Sequence, residues 1–495
     1  MRIGLFIMAA MGLTFVGCMK VGPDYNRPDF RFQVPESYRH ADADKSSKIE
    51  ETDRWWEAFN DPQINRLVAD VLEFSPDIQK TAALVLELQG RLVQARAGRF
   101  PALDIVGQAR RNQVNVNTVI PGISAGGQLE FQEASQRITS SSYVMSVPAT
   151  FELDLWGRLS RADEAARADL LRAEENRRTV SQSIVAEAIS RYLKIESLER
   201  QIQLNELRIT NFHTSLNLVE KRYAAGLTGA LEVRQARRSL SQAESLQPSL
   251  YQALGINQNG IAVICGKYPE TRPPRVQPED YYRRLAPVKT GLSSELLLRR
   301  PDIRAAEANL MALNARVGVA KAIRFPMITL TGNYGYASGE LDGLFTPGNE
   351  LWELSAGILQ PLFDAGKRKA GQRIAEARYI QGVSDYAKTV LNAFAEVENA
   401  LLTRKQQFER REQLLEFLVE ARATLRIAGL RYERGLVDYL TVLDAIQARF
   451  RAEEELILSD LAIMQNRVTL HRALGGGWTD LGRATEKPIK PVHVP

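Results

Sequence analysis

The chain repeats itself. Ser75-Pro-Asp-Ile78 returns as Arg300-Pro-Asp-Ile303, and Ala95-Arg-Ala-Gly-Arg-Phe-Pro101 returns as Ala320-Lys-Ala-Ile-Arg-Phe-Pro326, both 225 residues later. Further along, Tyr223-Ala-Ala-Gly226-Leu227 is matched by Tyr432-Glu-Arg-Gly435-Leu436, Asn257 by Asn466 and Gly266 by Gly475, all 209 residues apart. A period this long is no solenoid repeat. It is one structural unit used twice, and the change of offset puts 16 extra residues between Pro101 and Tyr223 of the first half. The Gly/Ser/Gln-rich stretch from Asn112 to Ser141 reads as the loop that holds them.

Within each half, strands come first and helices follow. After Pro326, Ile328, Leu330, Tyr334 and Tyr336 alternate with Thr329, Thr331 and Asn333. A second strand is expected over Tyr143–Leu153 and again over Leu351–Leu362, where Trp352, Leu354, Ala356 and Ile358 alternate with Glu353, Ser355 and Gly357. Such strands are long enough to cross a bilayer when tilted, although a sandwich with one wet face would alternate in the same way. No proline lies between Pro148 and Pro248 or between Pro361 and Pro488. Arg158–Ala225 therefore reads as one helix about 100 Å long. From Val383 to Tyr432 a stripe at 3-4 spacing marks its counterpart. Gly226 and Gly435 sit where a left-handed helix stop is wanted, and Thr228 and Asp438 suit a restart.

The first residues constrain the compartment. Met1-Arg2 and the apolar run Ile3–Val16 have the form of a signal peptide, too short to span as a helix. Gly17-Cys18 ends it in a way that resembles a bacterial lipobox, which implies cleavage before Cys18 and lipid on that residue. Met19 in place of Asp favours the outer membrane. With Cys18 acylated only Cys265 remains, so no intramolecular disulfide can form, and Cys265 reads as a small buried residue.

Four membrane-crossing strands per chain cannot close a barrel, and lipid-exposed sheet edges are forbidden, so the chain must assemble with copies of itself. The residues leave dimer, trimer or more open. Lys+Arg exceed Asp+Glu by 64 to 59, spread along the chain, so nucleic acid is not implied as a partner. No HExxH, CxxC or paired-His spacing marks a metal site, and no catalytic constellation is present. Gly475-Gly-Gly477 lacks the Lys-Ser/Thr of a phosphate loop. No enzyme activity and no cofactor are expected.

Several segments carry a family resemblance. They are Cys18-Met-Lys-Val-Gly-Pro-Asp-Tyr-Asn-Arg-Pro28, Trp55-Trp-Glu-Ala-Phe-Asn-Asp-Pro62, Leu298-Arg-Arg-Pro-Asp-Ile303, Gln360-Pro-Leu-Phe-Asp364, Tyr439-Leu-Thr-Val-Leu-Asp444 and Leu474-Gly-Gly-Gly-Trp478. With the two Arg-Tyr-x-x-Gly-Leu turns they resemble the outer-membrane factor family, the TolC/OprM-type exit ducts, in its lipoprotein branch serving resistance-nodulation-division pumps. The resemblance implies a mixed architecture: a membrane β-barrel plus a long α-helical barrel. It implies a homotrimer with four strands per chain, giving a 12-stranded barrel.

On that reading residues 1–17 are the signal peptide and 18–60 an N-terminal extended, equatorial segment. Residues 102–153 and 326–363 are the barrel strands with their external loops. Residues 61–101, 154–265, 295–325 and 364–474 form the periplasmic helical barrel, and 266–294 with 475–495 the equatorial connector and tail. Expected partners are a periplasmic adaptor, an inner-membrane resistance-nodulation-division transporter and outer-membrane lipid. The protein is then a passive conduit of a tripartite efflux pump. An exit duct of a type I protein secretion system and a structural periplasm-spanning lipoprotein are the alternatives.

The resemblance also points to sites. Leu440 and Asp444, four residues apart on one helix face, match the constricting rings of a periplasmic gate. Arg431, Arg434, Arg449 and Tyr223 are candidates for holding it shut. Arg222, Gly226, Leu227, Arg431, Gly435 and Leu436 are expected in the adaptor-docking turns. The first-half counterparts of the gate, Leu231 and Gln235, carry no acid, so the second-half helices should move more on opening.

Overall fold

The computed structural model describes residues 20–29, 32–33, 37–40, 54–123, 129–269, 285, 288 and 296–476. Residue Cys18, the expected signal peptide 1–17 and most of the expected connector and tail lie outside the described residues. A 3-10 turn at Trp55–Phe59 precedes α1 (Pro62–Phe74) and α2 (Pro76–Ala97). Strands β1 (Ala102–Leu103), β2 (Val106–Ile123) and β3 (Leu129–Leu153) lead into α3 (Arg158–Ala224) and α4 (Ala230–Ile264). The second half brings α5 (Leu296–Arg299), α6 (Pro301–Ala322), β4 (Met327–Ser338), β5 (Glu350–Leu359), α7 (Lys367–Glu433) and α8 (Tyr439–Ala473).

The offsets seen in the sequence recur in the elements. Helices α3 and α7 have 67 residues each, α4 and α8 have 35, and α2 and α6 have 22. The strand register agrees as well. Val106 faces Ser146 in the first half, and Thr331 faces Ser355 in the second, the same pair moved by 225 and by 209.

The chain forms two compact units. One contains the described residues up to Arg27 with Leu88–Leu170 and Asn309–Gly382. Its sheet is antiparallel in the order β1-β3-β4-β5, with β2 also on β3. Strands β1 and β2 hold one register on β3 and act as a single strand broken at Asp104 and Ile105. Across β3, β4 and β5 one face carries Phe151, Leu330 and Ala356, and beside them Leu153, Ile328 and Ile358. The other carries Thr150, Thr331 and Ser355, with the Thr331 and Ser355 hydroxyls 2.7 Å apart. Trp352 and Leu354 stay 76% and 78% exposed, so the apolar face is open to its surroundings. That is the reverse of a water-soluble sheet and suits contact with hydrocarbon.

The stretch Asn112–Ser141 departs from expectation. It is not a loop: β2 runs on to Ile123 and β3 starts at Leu129, so the extra residues lengthen a hairpin. Val114 and Val116 alternate with the polar Gln113, Asn115 and Asn117, a β pattern that the Gly and Ser content hides.

The N-terminal residues are tied to this same unit. Val21 donates its N–H to the Trp156 carbonyl at 3.1 Å, and the buried Arg161 side chain reaches Asp24 at 2.8 Å. Gly22, at φ +106°, lies so close to Gly318 that a Cβ would stand 2.6 Å from its Cα. Gly22 cannot carry a side chain without a shift of backbone, and at Gly318 a Cβ would stand 2.9 Å from Cγ of the buried Arg161 side chain.

The second unit contains Pro28–Glu87, Leu171–Ala308 and Val383 onward. Its main core packs Trp55, Phe59, Ile64 and Val71 against Val185 and Ile189 of α3. Trp55 stacks on His471 of α8, ring centroids 5.2 Å apart. Burial holds the His471 imidazole neutral, its pKa pushed down to about 3. Cys265 is fully buried, as the sequence suggests. Helices α3, α4, α7 and α8 each end on a glycine at positive φ: Gly226, Gly266, Gly435 and Gly475. Among the described residues no helix is long and apolar enough to cross a membrane.

Candidate functional site

The site is built at the two helix reversals. At the first, the Gly226 N–H bonds to the Tyr223 carbonyl and the Leu227 N–H to the Arg222 carbonyl, each at 2.9 Å. At the second, Gly435 bonds to Tyr432 and Leu436 to Arg431, again at 2.9 Å. Both are Schellman caps, which need a left-handed residue at the glycine. Gly226 and Gly435 adopt φ +69° and +75°, and a Cβ at either would meet open space. Glycine is therefore required there by backbone conformation and not by crowding.

The restarts differ. Asp438 accepts from the Thr441 N–H at 3.0 Å and from its hydroxyl at 2.6 Å. These bonds hold the Asp438 carboxyl below the usual range. In the first half the cap is Gly229, without a side-chain bond, and not Thr228. The expected role of Thr228 is thus displaced by one residue, because Gly229 takes the extended backbone of the cap.

A half-buried network joins the two hairpins. The Arg222 guanidinium of α3 lies 4.5 Å from the Tyr432 ring centroid and donates to the Tyr432 carbonyl at 3.2 Å. The Tyr432 hydroxyl donates to Glu232 of α4 at 3.1 Å. Burial, then the Glu232 charge, pushes the Tyr432 phenol up to about 12. Tyr439 of α8 packs 5.9 Å from Tyr432 and exchanges a 3.0 Å hydrogen bond with Ser215 of α3. Its phenol is also raised, chiefly by burial. Beneath them Phe212, Leu240, Leu443 and Phe450 form an apolar cluster shared by both hairpins.

Leu440 and Asp444 lie together on the exposed face of α8, and Leu440 is 51% exposed. Val442, Leu443 and Ile446 fill the opposite, buried face. Residue Leu231, the counterpart of Leu440, is 70% exposed on α4.

The other sequence candidates scatter. Arg449 bonds to Glu453 at 3.2 Å, a carboxylate that Arg422 of α7 also holds at 2.8 Å, and not to Asp444. Arg431 and Arg434 are exposed beside the turn, as are Leu227 and Leu436. Tyr223 is 51% exposed, whereas its duplicate Tyr432 is buried and bonded. Sequence reasoning singles out Tyr223 and misses the contacts that join Tyr432 to Glu232 and Tyr439 to Ser215. The shared Arg-Tyr-x-x-Gly motif marks both tyrosines equally. Among the described residues no group of three or more His, Cys, Asp or Glu side chains could hold a metal.

Comparison with known proteins places the chain as a whole. Residues 67–267 and 292–476 match the family model described as outer membrane efflux protein. The toluene efflux pump outer membrane protein TtgI of Pseudomonas putida is 32% identical over 470 residues, 94% of this chain and 97% of that one. The cation efflux system protein CusC of Escherichia coli O157:H7 is 30% identical over 473 residues, 94% and 97% of the two chains. The probable outer membrane lipoprotein SilC of Salmonella typhimurium is 29% identical over 471 residues, 94% and 96% of the two. The solved outer-membrane channel OprN superimposes with a TM-score of 0.82 at 28% identity, over 92% of this chain and 99% of its own. The open-state MtrE channel of Neisseria gonorrhoeae gives 0.79 at 27%, over 93% and 98%. Fold and sequence agree over nearly the whole length, and the chain belongs to the outer membrane efflux protein family.

Proposed function

We propose that the protein is the outer-membrane exit duct of a tripartite efflux pump, a passive conduit without enzymatic activity. Three copies form a 12-stranded barrel continued by a helical barrel. Leu440 and Asp444 form the constriction, the turns around Gly226 and Gly435 dock a periplasmic adaptor, and a resistance-nodulation-division transporter supplies cargo. Cys18 carries the lipid. The duplication of strand and helix units gives the threefold assembly a sixfold pseudo-symmetry.

One observation carries this reading most directly. The sheet offers an open apolar face and a polar face in a chain of the efflux family, with no ladder partner at its outer edges among the described residues. Such edges must be closed by copies of the chain in a bilayer. Cargo choice belongs to the pump. Relatives of 30–32% identity are named for toluene, for cations and for pyoverdine, which supports a duct that accepts what it is handed.

The test is reconstitution in cells stripped of their own duct. Co-expression with the cognate adaptor and transporter should restore dye efflux, and the purified protein should carry acyl chains on Cys18. Failure of efflux with a correctly inserted oligomer would remove the exit-duct role.

A further inference from the structure

The apolar face of the sheet fixes where a bilayer around it would end. From Leu153 to Tyr143 that face of β3 advances ten residues, through Phe151, Ala149, Val147 and Met145. At ~3.3 Å per residue and a tilt of about 40°, this covers roughly 25 Å along the membrane normal, the height of the apolar band of a membrane barrel. Aromatic side chains bracket it. Phe100 and Phe363, 68% and 90% exposed, lie where the strands meet the helices. Tyr143, Tyr334, Tyr336 and Trp352 share the apolar face toward the other end. Such girdles mark the two membrane surfaces.

Beyond the second girdle the two halves part. Strands β4 and β5 stop at Ser338 and Glu350, whereas β2 and β3 continue as a two-stranded ribbon to Ile123 opposite Leu129. The lengthened hairpin therefore reaches past the hydrocarbon. On its outward face the row after Ala109 and Tyr143 is Arg111 with Ser141, then Gln113 with Thr139, then Asn115 with Arg137. Arg111 and Arg137 are exposed, and neither makes an ion pair among the described residues. Their rows are four residues apart, about 13 Å along the strand. The Gln113 amide and Thr139 hydroxyl belong to the row between them. Glu350, an acid of the same face, sits on β5, three strands from Arg111.

We propose that Arg111 and Arg137 bind the phosphates of a phosphorylated saccharide headgroup, carried by a glycolipid in the outer leaflet beside the barrel. The proposal rests on the exit-duct reading, which puts this sheet across the outer membrane with its helices in the periplasm, and it names a lipid class and a site that the reading leaves open. Continuity with the apolar face is the first argument. A lipid whose acyl chains lie along Phe151, Val147 and Met145 presents its headgroup one row beyond Tyr143, where Arg111 stands. Charge is the second. A guanidinium offers phosphate oxygens a planar fork of N–H donors. Register is the third. The lumen face of the same stretch carries Arg110 with Ser142 and Asn112 with Ser140, and the last two hydrogen-bond to each other. A slip of one residue would turn Arg111 inward. Around the two arginines the outward rows hold Ser141, Gln113, Thr139 and Asn115, neutral groups able to donate to and accept from sugar hydroxyls.

The test is native mass spectrometry of the purified full-chain oligomer in detergent. The probes are bisphosphorylated lipid A, lipid A stripped of both phosphates, and phosphatidylethanolamine. Wild type should retain bisphosphorylated lipid A several-fold more than either other lipid, and added salt should narrow the difference. Arg111→Gln/Arg137→Gln should bring it down to the level of the dephosphorylated form. Arg111→Lys/Arg137→Lys should keep part of the preference, since a point charge still attracts phosphate. Arg110→Gln, one residue along and on the lumen face, should bind as wild type does. Equal retention of lipid A with and without its phosphates by wild type would overturn the proposal. So would equal losses in the Arg110 variant and the double glutamine variant, because bulk charge and not outward placement would then decide. Planar-bilayer recording of the same preparations separates these failures from that of the reading beneath. Channels that open in a protein without preference for phosphorylated lipid A would overturn the headgroup site and leave the duct standing. A wild type that forms no channel would sink the duct and the site with it.

Discussion

Arg222 and Tyr432 hold the ends of α3 and α7 together, the guanidinium carbon 4.5 Å from the ring centroid and one N–H on the tyrosine carbonyl. One residue comes from each half of the duplication, so this contact ties the first hairpin to the second beside both turns. A guanidinium over an aromatic face contributes about 0.5–2 kcal/mol depending on solvent access. If the second hairpin moves on opening, this latch must yield. Arg222→Met is therefore expected to raise single-channel conductance while leaving the oligomer intact. Tyr432→Phe should raise it less, since only the Glu232 bond is lost. Conductance unchanged in both variants would leave the pair a purely structural contact.

Glu196 of α3 supplies a pH prediction. It is buried beside Leu193, Arg200, Asp460 and Met464, and burial pushes its carboxyl up to about 7. Arg200 opposes that shift, and Asp61, Glu199 and Asp460 add to it. A carboxyl raised in the folded state binds more protons there than in the unfolded chain between about pH 4.5 and 7. Stability from this group is full below the unfolded value and is lost as pH rises from there through 7, on the order of 3 kcal/mol in all. Glu196→Gln should flatten the melting temperature between pH 5 and 7.5 and raise it at pH 8. A slope identical to wild type would assign the pH dependence to other groups.

The two faces of β4 should respond in opposite ways to charge. Leu330 shares its face with Phe151 and Ala356, and Thr331 shares the other with Thr150 and Ser355. Arginine on a lipid face near the bilayer midplane costs about 2–4 kcal/mol, and far less on a lumen face. Leu330→Arg should lower the yield of assembled oligomer, and Thr331→Arg should assemble and alter ion selectivity. Equal assembly of both, seen on semi-native gels, would contradict the assignment.

Gly435 separates capping from docking. Because a Cβ there meets open space, substitution should cost only the backbone term, about 1 kcal/mol for an ordinary residue and less for Asn. Gly435→Asn should leave both melting and efflux close to wild type. Gly435→Asp should melt similarly yet lower efflux, the excess loss coming from the adaptor contact. Efflux that falls only in step with melting would leave the glycine as a helix cap and no more.

Much of this architecture is legible in the residues, and the reasons are physical. Fixed offsets of 225 and 209 survive because helix lengths and strand register must be kept for both halves to pack alike. Gly226 and Gly435 stand out because only glycine adopts their backbone conformation cheaply. The long β2–β3 hairpin is obscured because its polar, Gly- and Ser-containing sequence resembles a loop, although Val114 and Val116 keep the strand period. Tyr223 and Tyr432 sit in the same local motif, and only the packing of Arg222 and Glu232 makes one a buried latch and leaves the other exposed. Arg449 illustrates the same limit, since its partner is Glu453, one turn along its own helix, and not Asp444.

Leu440 and Asp444 lie side by side on the open face of α8, where we propose that they form the constriction of a conduit. Three leucines around an axis would block by contact and dewetting, and three carboxylates would favour cations. Single-channel recording of wild type against Leu440→Ala/Asp444→Ala in planar bilayers tests it most directly. A small, cation-selective conductance that rises and loses selectivity in the double variant is the predicted result. The same conductance and selectivity in both proteins would contradict it.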